Sequence, residues 1–194
     1  MVFTVLDEDT GQLMEYRKIR KHPRYATTWT KFYSNDMGRL CQGIVNNTVG
    51  TGKHIKGTDI LFVIYYRNIP DDRRKETTCT SVVCEVRQQK EYPNHTRIAI
   101  GGNHICYPSN VGTQTASPEL FKLLVISVLS RKGAQFVCFD INIFYLGTPL
   151  DCPEYACIHL KDISEEFIAE YNLTTYARDN WVYFCICKGV YGLP

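Results

Sequence analysis

Phe136-Val137-Cys138-Phe139-Asp140-Ile141-Asn142-Ile143-Phe144-Tyr145-Leu146 sets one aspartate at the end of an apolar run and follows it with more apolar residues. Residues 136–141 read as a strand, being short, aromatic and β-branched. A carboxylate there sits at the rim of a sheet, where oxygen ligands can reach a hard cation. Mg²⁺ is usually bound by only one or two carboxylates plus substrate phosphates. A turn or cap role suits Asp140 equally, and the residues alone leave both open. Upstream, Ser117-Pro118-Glu119 opens a helix: Ser caps, Pro fits the first helical position and Glu suits the dipole. This helix runs to about Arg131, with Gly133 as its stop, and is apolar nearly all round, so burial is expected. Downstream, residues 155–159 read as a strand. Asp162-Ile163-Ser164-Glu165 is a capping-box pattern opening a short helix to about Tyr171. Residues 181–187 form a final strand.

The N-terminal half completes the pattern. The segment up to Gln12 is polar, a loose strand or tail. Residues 23–44 read as a helix, because Tyr25, Trp29, Phe32, Tyr33, Met37 and Leu40 recur at helical spacing. Residues 46–59 are a Gly-rich connector, 60–66 a buried strand and 70–78 a charged loop. Residues 80–88 and 97–101 are strands flanking the turn-rich Lys90-Glu91-Tyr92-Pro93-Asn94, which predicts a hairpin. Residues 107–116 are another connector. Helix, strands, helix, strand, strand, helix, strand is an α+β order.

Of the 194 residues, 44% are apolar and 22% charged, which excludes an intrinsically disordered chain. Uncharged apolar runs such as 61–66 and 123–129 fall far short of the roughly 20 residues a membrane helix needs. No basic n-region precedes the first apolar residues, and Asp7, Glu8 and Asp9 follow at once, so no secretory signal is expected. The net charge of +2 hides an asymmetry. Residues 1–100 carry 16 Lys and Arg against 11 Asp and Glu, while residues 101–194 carry 6 against 9. The densest basic run is Arg17-Lys18-Ile19-Arg20-Lys21-His22-Pro23-Arg24, and Arg73-Arg74-Lys75 is a second. Such runs suit either a polyanion partner or a solvated helix face.

None of the nine cysteines forms a C-x-x-C pair, and most sit among Val, Ile and Phe, where a free Cys acts as a small hydrophobe. That usage fits a reducing, intracellular compartment. The Asn46, Asn94 and Asn172 sequons are chance matches on this reading. Gly50-Thr51-Gly52-Lys53 is no phosphate loop: Asn47 stands where the first Gly of G-x-x-x-x-G-K-[ST] belongs, and His54 where the Ser/Thr belongs. G-x-S-x-G is absent.

Phe139-Asp140-Ile141-x-x-Phe144-Tyr145-Leu146-x-Thr148-Pro149-Leu150 resembles the first catalytic motif of reverse transcriptases. Lys188-Gly189-Val190-Tyr191-Gly192-Leu193-Pro194 resembles the "YGL" motif of copia-type retrotransposon polymerases. Glu154-Tyr155-Ala156-Cys157-Ile158-His159-Leu160 is similar to that family's strand after the first Asp. Thr96-Arg97-Ile98-Ala99-Ile100-Gly101-Gly102 is similar to its fingers segment, and residues 23–40, with Trp29, to the helix that opens the domain. The resemblance runs from about residue 15 to 194.

It implies an RNA-directed DNA polymerase, a nucleotidyltransferase of a transposable element. The implied fold is the fingers and partial palm of a right-hand polymerase, truncated before the thumb, with a mixed, mainly antiparallel sheet packed with helices. Residues 1–15 would be a tail, 16–116 the fingers-like region and 117–194 the partial palm. Asp140 would be catalytic and bind metal, as one of three carboxylates that hold two Mg²⁺ ions in the complete enzyme. Ile141 would lend its carbonyl to the same cation, Tyr145 would check the sugar of the incoming deoxynucleotide, and Arg97 would approach its phosphates. Gly192, Leu193 and Pro194 would lie under the templating base pair. Partners would be an RNA or DNA template-primer and deoxynucleotides, with no membrane. The location would be the cytoplasm, virus-like particles or the nucleus. No Y-x-D-D occurs in these residues, so two of the three carboxylates are missing and the chain alone is expected to be inactive. The alternatives are a non-catalytic nucleic-acid-binding remnant and an unrelated cytosolic interaction module.

Overall fold

The computed structural model describes residues 5–45, 54–87, 89, 93–102, 105, 117–138 and 144–193. It is an α+β structure: a five-stranded mixed half-barrel sheet, two main helices and small hairpins. The chain divides into two compact units. One holds residues 1–106 and 145–194, the other residues 107–144. No helix among the described residues is long and apolar enough to cross a membrane.

In the larger unit, β1 (Val5–Leu6) and β2 (Leu13–Met14) pair as a small hairpin, turning the expected loose segment back on itself. A single turn, α1 (Tyr16–Ile19), leads to α2 (Ala26–Leu40). The aromatic spacing anticipated α2, and it buries Trp29, Tyr33, Met37 and Leu40. The helix ends earlier than residue 44, since β3 (Gly43–Val45) pairs antiparallel with β4 (His54–Lys56). Backbone hydrogen bonds to a partner strand have displaced the last helical turn.

The main sheet runs in the order β5 (Leu61–Ile64), β9 (Trp181–Lys188), β8 (Pro149–His159), β6 (Thr78–Val86), β7 (Asn94–Ile100). The expected hairpin is present: β6 and β7 pair antiparallel from Thr80↔Ile100 to Val86↔Asn94. All pairings are antiparallel except β6 with β8, which share only Thr78↔Ala156 and Cys79↔Cys157. Side chains alternate across a strand, so Val182, Phe184 and Ile186 of β9 and Ala156 and Ile158 of β8 are buried on one face. Tyr183, Cys185, Tyr155 and Cys157 fall on the other and are half-buried.

After a single 3-10 turn, Leu160–Asp162, the chain enters α5 (Glu165–Glu170) and then α6 (Leu173–Tyr176). The cap of α5 is Ser164 and not Asp162: the Ser164 hydroxyl accepts from Phe167 N–H at 3.4 Å. The Asp162 carboxylate instead binds the Arg17 guanidinium at 2.9 and 2.7 Å. Ser164 is fully buried, 2.7 Å from the Ser34 hydroxyl of α2. Ser34 donates its proton to Thr30 O, so Ser164 is the donor of the pair. One buried oxygen thus caps α5 and ties it to α2. Ser164→Ala is expected to cost about 1–2 kcal/mol, read as a lower midpoint in a urea melt.

The smaller unit carries α3 (Pro118–Leu129), capped as expected: Leu120 N–H donates to the Ser117 hydroxyl at 3.2 Å, with Pro at the first position. The fourth helix, α4 (Phe144–Gly147), spans the division between the units. Two expectations fail. None of the α3 side chains is buried, and Leu123 and Leu129 are 64% and 80% exposed. Of the strand expected over 136–141, residues 136–138 form none, with Val137 70% exposed, and 139–141 lie outside the described residues. The only ring contact described inside this unit is Phe121 edge-on to Phe136 at 5.9 Å. One aromatic pair covers little of an apolar helix, and a strand needs a partner ladder that no described residue supplies to 136–138.

Candidate functional site

Three separated segments meet in the larger unit. At one end of the sheet Pro149 pairs with Lys188, and Gly189 N–H donates to Thr148 O at 2.8 Å. Beyond β9 the chain turns at Tyr191-Gly192-Leu193 against the end of β7. Ile100 N–H donates to Tyr191 O at 2.7 Å and Gly102 N–H to Gly192 O at 3.1 Å. Gly192 has φ +92°, and a Cβ there would lie 2.0 Å from Ile100 O. Only glycine gives this close approach of two backbones. On β7 the half-buried Arg97 holds its guanidinium carbon 4.4 Å from the centroid of the Tyr191 ring. Arg97 is therefore a neighbour of the Tyr191-Gly192 turn, although nearly a hundred residues separate them in the chain, and Leu193 closes that turn, its N–H donating to Val190 O at 3.3 Å.

Tyr145 lies on α4, but its side chain is not among those described. Asp140, Ile141 and Pro194 fall outside the described residues. Among the described residues no group of three His, Cys, Asp or Glu could hold a metal ion. Asp140, the carboxylate expected to bind Mg²⁺, lies outside that set.

Behind β7 lies a buried acid. Asp36 of α2 is 8% exposed, and its carboxylate accepts from Ile98 N–H at 3.2 Å. β7 is the edge strand of the described sheet, so this N–H has no further strand to bond. Burial pushes the Asp36 carboxyl up to about 6, against the opposing pull of Arg39, the Ile98 N–H and Arg97. Its Oδ1 lies 3.7 Å from Arg39.

The arginines of the basic runs are occupied within the chain. Besides Arg17 on Asp162, Arg20 donates to the carbonyls of Lys161 and Ile163, and Arg24 pairs with Glu8 at 2.7 Å. Arg73 bridges Glu76 and Glu154 at 2.5 and 2.6 Å. These arginines tie α1 to the β8–α5 connection and the charged loop to β8. Exposed pairs such as Arg24–Glu8 contribute about 0–1 kcal/mol, so they fix position more than they stabilise.

A second basic and aromatic group was not singled out from the sequence. Tyr65 follows β5, and Tyr66 and Arg67 lie in the 3-10 turn Tyr66–Asn68. The guanidinium of Arg67 stands 4.8 Å from the Tyr65 ring, and those of Arg74 and Arg178 stand 4.9 and 4.2 Å from the Tyr66 ring. Tyr65 meets Tyr176 at 4.6 Å and Tyr66 meets Tyr183 at 5.0 Å. Arg67 and Arg178 are exposed. Arginines over partly open tyrosines are the side-chain chemistry that stacks bases and attracts a phosphate backbone. The adjacent Tyr65-Tyr66 near Arg73-Arg74-Lys75 was the available signal. Tyr176, Arg178 and Tyr183 reach it only through the β5–β9 pairing.

No family model, curated protein or solved structure matches this chain.

Proposed function

We propose that these residues form the fingers and the first part of the palm of a copia-type RNA-directed DNA polymerase. The observation that supports this reading is the meeting of three segments. Residues 96–102 and 188–193 belong to two segments that resemble separate polymerase motifs, residues 148–150 end the 139–150 segment that resembles a third, and they adjoin through backbone hydrogen bonds. On this reading Arg97 approaches the phosphates of the incoming nucleotide, and Gly192, Leu193 and Pro194 lie under the templating base. Asp140 and the carbonyl of Ile141 are the groups in these residues that would hold Mg²⁺, and Tyr145 would check the sugar. In such polymerases the metal ions stabilise the attacking and leaving oxygens. Nucleic-acid binding without catalysis is the second reading, favoured by the arginine–tyrosine cluster around Tyr66.

The test is primer extension on a primed RNA template. The 194 residues alone are expected to incorporate no deoxynucleotide above background, because one aspartate cannot supply the metal ligands that a Y-x-D-D motif adds. Joined in frame to a palm segment bearing Y-x-D-D, the chain should extend the primer, and Asp140→Asn should abolish extension. A joined chain that binds the template in a strongly salt-dependent way, yet never extends it, supports the second reading instead. Retention unaffected by salt would count against both.

A further inference from the structure

The parallel contact between β6 and β8 is the narrowest seam of the main sheet. It joins the β6–β7 hairpin to the other three strands through two residue pairs, and one of them is Cys79↔Cys157. The two Sγ atoms stand 3.5 Å apart. Cys79 is exposed and Cys157 half-buried. Both thiols wall an open cleft of about 500 Å³, together with Arg17, His159, Asp162 and Trp181. A volume of that size admits a small-molecule ligand.

We propose that Cys79 and Cys157 are a reversible disulfide site, closed by exchange with a small disulfide of the oxidised-glutathione class that enters this cleft. The geometry selects this pair over its neighbour. Adjacent strands lie about 4.8 Å apart, inside the Cα separation that a disulfide spans. Cys185 and Cys187 also bring their sulfurs close, at 3.8 Å. They sit two residues apart on one extended strand, however, which holds their Cα atoms about 6.7 Å apart, at the limit of that span.

The order of events follows from exposure. Solvent reaches Cys79, whereas burial pushes the Cys157 thiol up to about 12 and keeps it protonated at neutral pH. The Cys79 thiolate attacks one sulfur of the small disulfide. Their bond forms, the S–S bond breaks, and one thiolate leaves. Cys157 then gives up its proton to solvent and attacks Cys79 Sγ, expelling the second thiolate. In sum, two protein thiols and one small disulfide become one protein disulfide and two small thiols. The new bond clasps the hairpin to the sheet, and a reducing thiol pool opens it again. This inference is independent of the polymerase reading.

The experiment incubates the folded chain with oxidised glutathione, blocks remaining thiols and maps the peptides. The expected product is one crosslinked pair carrying Cys79 and Cys157, with a melting temperature raised by about 5–10 °C and restored by dithiothreitol. Cys157→Ser should retain glutathione on Cys79, because the second attack is lost. Cys79→Ser should leave Cys157 unmodified. The proposal is overturned if Cys79 and Cys157 of the folded wild-type chain both remain open to alkylation. It is equally overturned if the crosslink joins Cys185 to Cys187, or if the oxidised chain melts no higher than the reduced one. The wild-type peptide map decides the matter even where a serine variant fails to fold.

Discussion

Replacing Gly192 with alanine is expected to cost about 3 kcal/mol or more, because the methyl group would enter the backbone of β7. Two separate effects contribute. At φ +92° any L side chain is strained, by about 1–2 kcal/mol. The new Cβ would also stand 2.0 Å from Ile100 O and 2.9 Å from Ile100 N. Those atoms belong to the main chain and cannot rotate aside, so the turn must lift from the strand and lose the Ile100 and Gly102 hydrogen bonds. Gly11 is the control: its φ is +67° with nothing within 4 Å of a built Cβ, so Gly11→Ala carries the backbone strain alone, about 1 kcal/mol. Urea melts of both variants make the comparison, with amide exchange at Ile100 and Gly102 as the local readout. Equal losses in the two variants would mean that the turn does not press on β7, and would remove the contact on which the proposed function rests.

The second large effect is a pH dependence centred on Asp36. Its carboxyl titrates near 6 in the folded chain, above the ordinary aspartate value of 3.8, because it is buried. Between about pH 4 and pH 6 the folded state therefore holds a proton that the unfolded state has released. Stability must fall as pH rises through that window, by about 2–3 kcal/mol in all. Above pH 6 both states are ionised and the penalty is constant. Asp36→Asn keeps an oxygen that accepts from Ile98 N–H while removing the buried charge. It should flatten the pH 4–6 slope and raise stability at pH 7 by about 1–2 kcal/mol, the remainder being offset by the lost attraction to Arg39 and Arg97. Chemical melts at pH 4, 5, 6 and 7 measure both. Parallel profiles for wild type and variant would show that Asp36 does not titrate as its burial requires.

Much of the architecture was legible because local signals agreed with it. The aromatic repeat from Tyr25 to Leu40 marked α2, Ser117-Pro118 marked the start of α3, and the turn-rich 90–94 segment marked the β6–β7 hairpin. Misreadings arose where the outcome depended on a distant partner. Asp162 resembles a helix cap until Arg17, 145 residues away, takes its carboxylate. Residues 136–141 resemble a strand, but no described residue offers a ladder to the described part, 136–138. The basic run at 17–24 suits a polyanion partner or a solvated helix face by composition, and only the structure shows its three arginines bound to carboxylates and carbonyls of the same chain.

Of the candidate site, the family resemblance singled out Arg97, Ile141, Tyr145, Gly192, Leu193 and Pro194, and Asp140 also stood out by its place at the end of an apolar run. Residue order and side-chain periodicity are local properties, and they determined the α+β class, the two main helices and the hairpin. Register and long-range pairing are not local. Only the tertiary structure could set Gly192 against Ile100, Arg178 over Tyr66, and Cys79 beside Cys157. Each of these contacts joins segments far apart in the chain, and its geometry is fixed by which strand faces which neighbour, a choice settled by burying Phe184, Ile186 and Ala156 on a single side of the sheet.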